Sequence, residues 1–227
     1  MTEGDREFWT KAWEEGRTAF HEGAPNELLV KHVAELGPAK GSGKRRVLVP
    51  LAGKAVDLAW LAEQGSEVLG IELHRGAVRA FFDERQIEPT VVKMGRHDAL
   101  TAQGVTLLCA DVFDVGPEDI GTFDVVYDRA ALVALDPSDR KRYVALCRRL
   151  LREGGRTLLV TLAYDQTKAP GPPWCVDEAA VRDLYGPSPP SQTARIDLLE
   201  SHSVPTSKRL SEAGLPAFEE SIYRIQR

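Results

Sequence analysis

Apolar and polar residues fall along this chain in alternating blocks. Val47-Leu48-Val49-Pro50 is a short continuous apolar run, the pattern of a strand covered on both faces. Residues 55–64 then read as a helix, with Gly65 placed to cap it in a left-handed conformation. Residues 67–71 (EVLGI) make a second strand. Residues 76–85 make a second helix, with Ala77, Val78, Phe81 and Phe82 on one side. Residues 105–109 and 123–127 give a third and a fourth strand. Residues 138–152 form a further helix, because Tyr143, Leu146, Cys147, Leu150 and Leu151 recur at helical spacing. Gly154-Gly155 is expected to end that helix and residues 157–162 to form the fifth strand. Strands alternating with helices imply βαβ units, right-handed crossovers and a doubly wound, mostly parallel α/β sheet. The tail reads differently: residues 194–200 and 218–225 form two strands without a strong helix between them, which fits an antiparallel edge. Residues 6–23 carry Trp9, Trp13 and Phe20 on a short helix and loop. Three stretches break the pattern. Residues 37–44 are a loop, residues 91–106 a mixed polar excursion. Residues 169–191 are Pro-rich, with a short helical pattern between two proline clusters.

Composition narrows the class. The chain has 227 residues, 43% of them apolar and 28% charged, which fits one well-cored globular domain and excludes a largely disordered chain. There is no apolar run long enough to span a bilayer, and the polar, acidic first residues do not resemble a secretory leader. A net charge of −5 argues against a broad nucleic-acid surface. Cys109, Cys147 and Cys175 lack metal-ligand spacing and fit a reducing cytoplasm. The histidines are scattered, so no zinc site is expected, and no G-x-S-x-G elbow exists. Gly41-Ser42-Gly43-Lys44 is not a P-loop: Pro38 stands at the first glycine position, Arg45 replaces Ser or Thr, and the segment precedes a strand.

A doubly wound sheet binds its ligand beyond the carboxyl ends of its strands, so the loops after Pro50, Ile71, Cys109, Tyr127 and Leu162 are the ones to inspect. The first, Leu51-Ala52-Gly53-Lys54, has a single glycine and is as compatible with an ordinary turn as with a nucleotide site. Glu72 lies about twenty residues beyond Gly53, the spacing of an acid that accepts ribose hydroxyls; a surface carboxylate at a helix start is the alternative. Asp111 suits an adenine amino group, with Val112 and Phe113 beside the ring, or a simple N-cap. Arg129 offers a planar fork for a carboxylate, or a structural pair with Asp128 or Asp136. Dinucleotide and S-adenosylmethionine sites share this arrangement.

Several blocks together carry a resemblance to a known family. They are Phe8-Trp9 through Trp13-Glu14 to Gly16-Arg17-Thr18-Ala19-Phe20-His21, Val49-Pro50-Leu51-Ala52-Gly53-Lys54, Gly70-Ile71-Glu72-Leu73 and Phe81-Phe82-Asp83-Glu84. Tyr127-Asp128-Arg129-Ala130-Ala131-Leu132, residues 161–165 (TLAYD) and Gly171-Pro172-Pro173 follow in order. The chain resembles the thiopurine S-methyltransferases. The resemblance implies a class I methyltransferase fold with a seven-stranded sheet, an antiparallel C-terminal hairpin and S-adenosyl-L-methionine as cofactor. It implies one domain over 1–227, with 6–23 as a lid over the cofactor. By the same resemblance Trp9, Trp13 and Phe20 belong to the lid, and Leu51 and Gly53 to the turn around the methionine moiety. Glu72 and Leu73 belong to the ribose side, Asp111 and Val112 to the adenine side, and Arg129 to the cofactor and acceptor together. Phe20, His21, Arg129, Pro173 and Trp174 would face the acceptor. The family commonly has Cys where Ala52 stands and Phe where Trp174 stands. Arg209 falls near a tail arginine.

The activity so implied is methyl transfer to the sulfur of a small aromatic or heterocyclic thiol. Such a thiol arrives largely ionised and needs no strong base; Asp128 is the candidate proton acceptor. Halide, sulfide, selenium or tellurium acceptors, and a silent cofactor-binding module, are the competing readings. A nicotinamide dehydrogenase fits the single-glycine turn poorly. The expected partner is a small molecule rather than nucleic acid or membrane, and the expected state is a cytoplasmic monomer.

Overall fold

The computed structural model describes residues 1–17, 22–38, 43–186, 194–212 and 214–226. Four parallel strands form the centre of its sheet: β1 (Arg46–Pro50), β2 (Glu67–Glu72), β5 (Val105–Cys109) and β6 (Phe123–Arg129). Their apolar residues divide between the two faces with the period of two that a strand imposes. Leu48, Leu69, Leu108 and Val126 pack on one side, against α6 (Arg140–Leu150) and α7 (Glu178–Tyr185). Val47, Val49, Val68 and Val125 pack on the other, against α2 (Glu27–Lys31), α3 (Val56–Glu63) and α4 (Arg75–Asp83). Helices on both faces explain why these strands read as unbroken apolar runs.

Among the described residues the sheet has nine strands in the order β3-β4-β5-β2-β1-β6-β7-β9-β8. Seven of them, from β5 to β8, make the expected sheet. β7 (Leu151–Ala163) lies parallel to β6, and β9 (Ala217–Gln226) lies antiparallel between β7 and β8 (Arg195–Pro205). The other two, β3 (Thr90–Met94) and β4 (His97–Ala102), form an antiparallel hairpin on β5. They lie in the stretch read from sequence as a polar excursion, so the strand count is corrected from seven to nine. The pattern hides them because β3 is an edge strand: its residues are exposed or half-exposed, and backbone pairing rather than apolar alternation holds it.

The Gly154-Gly155 stop is also corrected: both glycines lie inside β7, and α6 ends at Leu150, two residues before the expected 152. A Cβ on Gly155 would lie 3.1 Å from the Asp124 carbonyl, so the glycine permits a close approach of β7 to β6, where the ladder shifts register between Phe123 and Val125. At the N-terminus, α1 (Glu3–Glu14) is capped by Thr2, whose hydroxyl accepts the Asp5 N–H at 3.1 Å.

Candidate active site

The loops after β1 and β2 are tied together by one carboxylate. Glu72 ends β2 and is 7% exposed. Its Oε2 accepts the Gly53 N–H at 2.8 Å and its Oε1 the His74 N–H at 2.7 Å. Burial raises its carboxyl above the ordinary range, and the backbone donors pull it part of the way back. His74, not Glu72, caps α4, so the surface-carboxylate alternative does not describe this residue. The Leu73 N–H contributes as well, and a carboxylate with about four acceptor sites keeps capacity beyond these donors. Leu51 adopts φ +46, left-handed for a branched residue, and Gly53 adopts φ +53. The Ala52 N–H reaches the Ile71 carbonyl at 2.9 Å and fixes that turn against β2. Ala52 itself is buried, with its Cβ facing Gly70. Leu73 is half-buried against the core.

Helix α1 lies across these loops. A Cβ on Gly53 would stand 3.0 Å from the Trp13 ring, and Trp13 stacks on His74 with centroids 6.0 Å apart and planes 12° from parallel. Trp9 instead packs on the core and donates its indole N–H to the Ala134 carbonyl at 3.3 Å. Of the two tryptophans, then, Trp9 is the core anchor and Trp13 the one over the loops after β1 and β2. Asp5 accepts the Asp136 N–H at 3.3 Å. Phe20 and His21 lie outside the described residues, as does the side chain of Arg209.

Asp111 follows β5 and is 4% exposed. It caps its own turn, accepting the Phe113 N–H at 2.9 Å. It also pairs with Arg6 of α1 at 2.7 Å and lies 3.3 Å from the Met1 ammonium. Sequence reading missed Arg6, because nothing in a helix's own pattern shows which distant acid its exposed side will meet. Val112 is buried beneath the same turn.

Strand β6 delivers Arg129 and Asp128 to opposite faces. Arg129 is half-buried and pairs with Glu22, not with Asp128 or Asp136. Glu220 on β9 also feels it: burial raises that carboxyl and Arg129 lowers it, while His202 of β8 pairs with Glu220 at 3.6 Å. Asp128 is fully buried and points into the core, where the Tyr143 hydroxyl donates to it at 2.7 Å and the Leu132 N–H at 3.1 Å. Only one of the two charges expected at the cleft therefore reaches it. The Asp128 expectation of a proton acceptor meeting substrate is corrected on that geometry.

Pro173 and Trp174 are half-buried on the loop after β7. The Trp174 N–H donates to the Val133 carbonyl at 2.7 Å, and the Trp174 ring lies over Gly171, where a Cβ would stand 2.4 Å away. The Tyr164 hydroxyl donates to the Pro173 carbonyl, and its ring packs on Phe218 of β9. This loop thus closes against the one after β6 and against the β9 edge. Among the described residues no group of three or more His, Cys, Asp or Glu side chains is placed to hold a metal ion, and no helix is long and apolar enough to cross a membrane.

The thiopurine S-methyltransferase family model matches residues 4–227. A thiopurine S-methyltransferase of Pseudomonas fluorescens strain Pf0-1 is 41% identical over 222 residues, covering 97% of this chain and 98% of its own. One of Bordetella pertussis is 38% identical over 224 residues, covering 98% and 99%. Two solved structures share the fold. The Burkholderia thailandensis 1,6-didemethyltoxoflavin-N1-methyltransferase, with bound S-adenosylhomocysteine, aligns at TM-score 0.63 and 20% identity over 98% of this chain and 87% of its own. The magnesium protoporphyrin IX methyltransferase of Synechocystis, also with bound S-adenosylhomocysteine, aligns at TM-score 0.63 and 13% identity over 98% and 99%.

Proposed function

Because this chain belongs to the thiopurine S-methyltransferase family and is an S-adenosylmethionine-dependent methyltransferase, we propose that its acceptor is the sulfur of a small aromatic or heterocyclic thiol. The observation that carries the reading is the setting of Arg129: a half-buried guanidinium where the cofactor-side strands meet the β7-β9-β8 wing. A guanidinium there favours an acceptor that arrives as an anion.

The side chains present suit the cofactor. Glu72 is a buried carboxylate held by backbone N–H groups, and its remaining acceptor capacity matches the two hydroxyls of a ribose. Gly53 keeps its turn low beneath Trp13, whose aromatic face suits a sulfonium, a contact of about 0.5–2 kcal/mol. Leu51 shapes that turn, Leu73 flanks Glu72, and Asp111 with Val112 would border the adenine. Trp9 would anchor the lid of residues 6–23; Phe20 and His21, outside the described residues, keep only the acceptor role that the family resemblance implies. When bound, S-adenosylmethionine supplies an electrophilic methyl group on a sulfonium.

The chain's own contribution is then positioning and exclusion of water. A thiol of low pKa loses its proton to solvent before transfer, so no side chain need take it. Arg129 holds the resulting anion, and Glu22 neutralises Arg129 until the acceptor arrives. Pro173 and Trp174 form the wall opposite. Holding two reactants in line is worth up to about 7–11 kcal/mol in favourable model systems. The chain acts as a single-domain monomer in a reducing compartment such as the cytoplasm, in keeping with its three free cysteines.

The test is calorimetric titration with S-adenosylmethionine, followed in the same sample by methyl transfer to 6-mercaptopurine, thiophenol, iodide and sulfide. Turnover of the aromatic thiols well above the inorganic acceptors is expected. Preferred turnover of iodide or sulfide would overturn the acceptor assignment, and cofactor binding without any turnover would replace it by a silent binding role.

A further inference from the structure

We infer that Asp128 is a positioning residue, whose buried carboxylate holds the turn that aims Arg129 toward the acceptor. The inference rests on the acceptor-binding reading of Arg129 given above.

The geometry is that of a clamp. Asp128 and Arg129 are consecutive at the end of β6 and face opposite ways. Between Arg129 and the buried Ala131-Leu132 stands Ala130, at φ +70. A residue with a Cβ enters that region at a cost, and it persists there only when its surroundings fix it. Asp128 supplies the fixing. One oxygen accepts the Leu132 N–H at 3.1 Å, and the Ala131 N–H also contributes to holding the carboxylate. The other oxygen accepts the Tyr143 hydroxyl at 2.7 Å, which ties the turn to α6. If Asp128 moved, Ala130 would relax and Arg129 would swing with it.

Packing alone does not call for a carboxylate in this place. It is wholly buried, and among the described residues the titratable groups that face it are Tyr143 and Cys147 from α6 and Tyr185 from α7, none of them a cation. A buried charge without a counter-charge is costly. What it gains is acceptor capacity at several donors at once, which a neutral side chain of its size cannot match. Burial raises the Asp128 carboxyl to about 6, against the donated hydrogen bonds that lower it. Protonation turns one oxygen from acceptor to donor, so the clamp loosens on acidification. Cofactor binding, which rests on Glu72 two strands away, does not depend on this group.

The experiment compares acceptor KM, kcat and cofactor Kd from pH 5 to 8, with a pentafluorothiophenolate acceptor that stays ionised over that range. In the wild-type protein acceptor KM should rise as pH falls through about 6, while cofactor Kd, which follows Glu72, should be the same in wild type and in the Asp128 and Tyr143 variants at each pH. Asp128→Asn should raise acceptor KM at pH 8 about five- to tenfold, the worth of one hydrogen bond, and should abolish the acidic limb. Tyr143→Phe keeps the carboxylate but removes the donor that lowers its pKa, so its acidic limb should move to higher pH. That variant carries the test if Asp128→Asn does not fold. An acceptor KM and an acidic limb unmoved by either substitution would overturn the proposal. So would a cofactor Kd raised by these substitutions in step with KM. Arg129→Ala separates the two levels. If it raises acceptor KM and the Asp128 and Tyr143 variants do not, only the clamp fails. If it leaves acceptor KM unchanged, the acceptor reading itself fails.

Discussion

Replacing Glu72 by Gln changes one oxygen into an NH2 and leaves the shape of the side chain intact. The wild-type carboxylate accepts two backbone N–H groups, from Gly53 and His74, at 2.8 and 2.7 Å. The amide can accept only one of them, and its NH2 then opposes the other. Losing one charge-assisted bond costs about 1.5–3 kcal/mol. The burial that raises the Glu72 carboxyl shows that the charge itself is disfavoured in this site, and removing it offsets part of that loss. Net stability should therefore fall by only about 1 kcal/mol, a shift of about 2–4 °C in Tm for a chain of this size. The cofactor has no such compensation. One ribose hydroxyl loses its acceptor, and Kd for S-adenosylmethionine should rise about 10- to 150-fold. Titration calorimetry reads the affinity and scanning calorimetry the stability. A folded Glu72→Gln protein with Kd within twofold of wild type would refute the ribose assignment. A large drop in Tm with unchanged Kd would make Glu72 a clamp between two loops and nothing more.

Gly53→Ala adds a Cβ at φ +53, 3.0 Å from the Trp13 ring. It should cost about 1–2 kcal/mol in stability from the backbone alone and weaken cofactor binding, and Trp13→Ala in the same protein should cost less than it does in wild type. Arg6→Ala removes the 2.7 Å pair with buried Asp111; since Arg6 is 48% exposed, the effect should be at most about 1 kcal/mol. It is read as faster cofactor release by stopped-flow tryptophan fluorescence, and high salt should move the wild-type rate the same way. Asp128 makes stability depend on pH with a definite sign. Its carboxyl is raised in the folded state from 3.8 to about 6, so the native state holds a proton that the unfolded chain has released. Stability should thus fall as pH rises through that window, by up to about 3 kcal/mol from this group. Asp128→Asn should flatten the urea-denaturation profile there; an unchanged slope would count against the shift.

The central sheet was legible because burial on both faces leaves strands with few polar residues, and because helices such as 140–150 carry a clean apolar stripe. The β3-β4 hairpin was not, since an edge strand satisfies itself through backbone bonds and leaves little trace in side-chain pattern. Gly154 and Gly155 misled for a related reason: glycine marks both a helix stop and a close approach of two backbones. In the site, Glu72 stood out because the acid, the strand before it and the glycine turn upstream lie at readable spacings. Asp128 and Arg129 were both expected at the cleft; strand alternation sends them to opposite faces, and Asp128 turns inward because α6 places the Tyr143 hydroxyl beneath β6. Arg6, Glu22 and Glu220 were invisible for a simpler reason. Each meets the site through a residue distant in sequence, Asp111 or Arg129, and a single sequence carries no record of such pairs.

Helix α1 has a further consequence for how the chain reaches its native state. Its partners lie far along the chain: Trp9 docks on Ala134 and Asp5 on Asp136, 125 and 131 residues later. Closing loops of that length is entropically slow. Alone, a twelve-residue helix is marginal in water. α1 is therefore expected to seat late, after the turn following β6 exists to receive it. Until then the half that would carry the cofactor lacks its cover, and the order in which the fold is finished makes the lid the last part to become competent. Pulsed hydrogen exchange during refolding should show protection of α1 amides appearing after those of β1, β2 and β6.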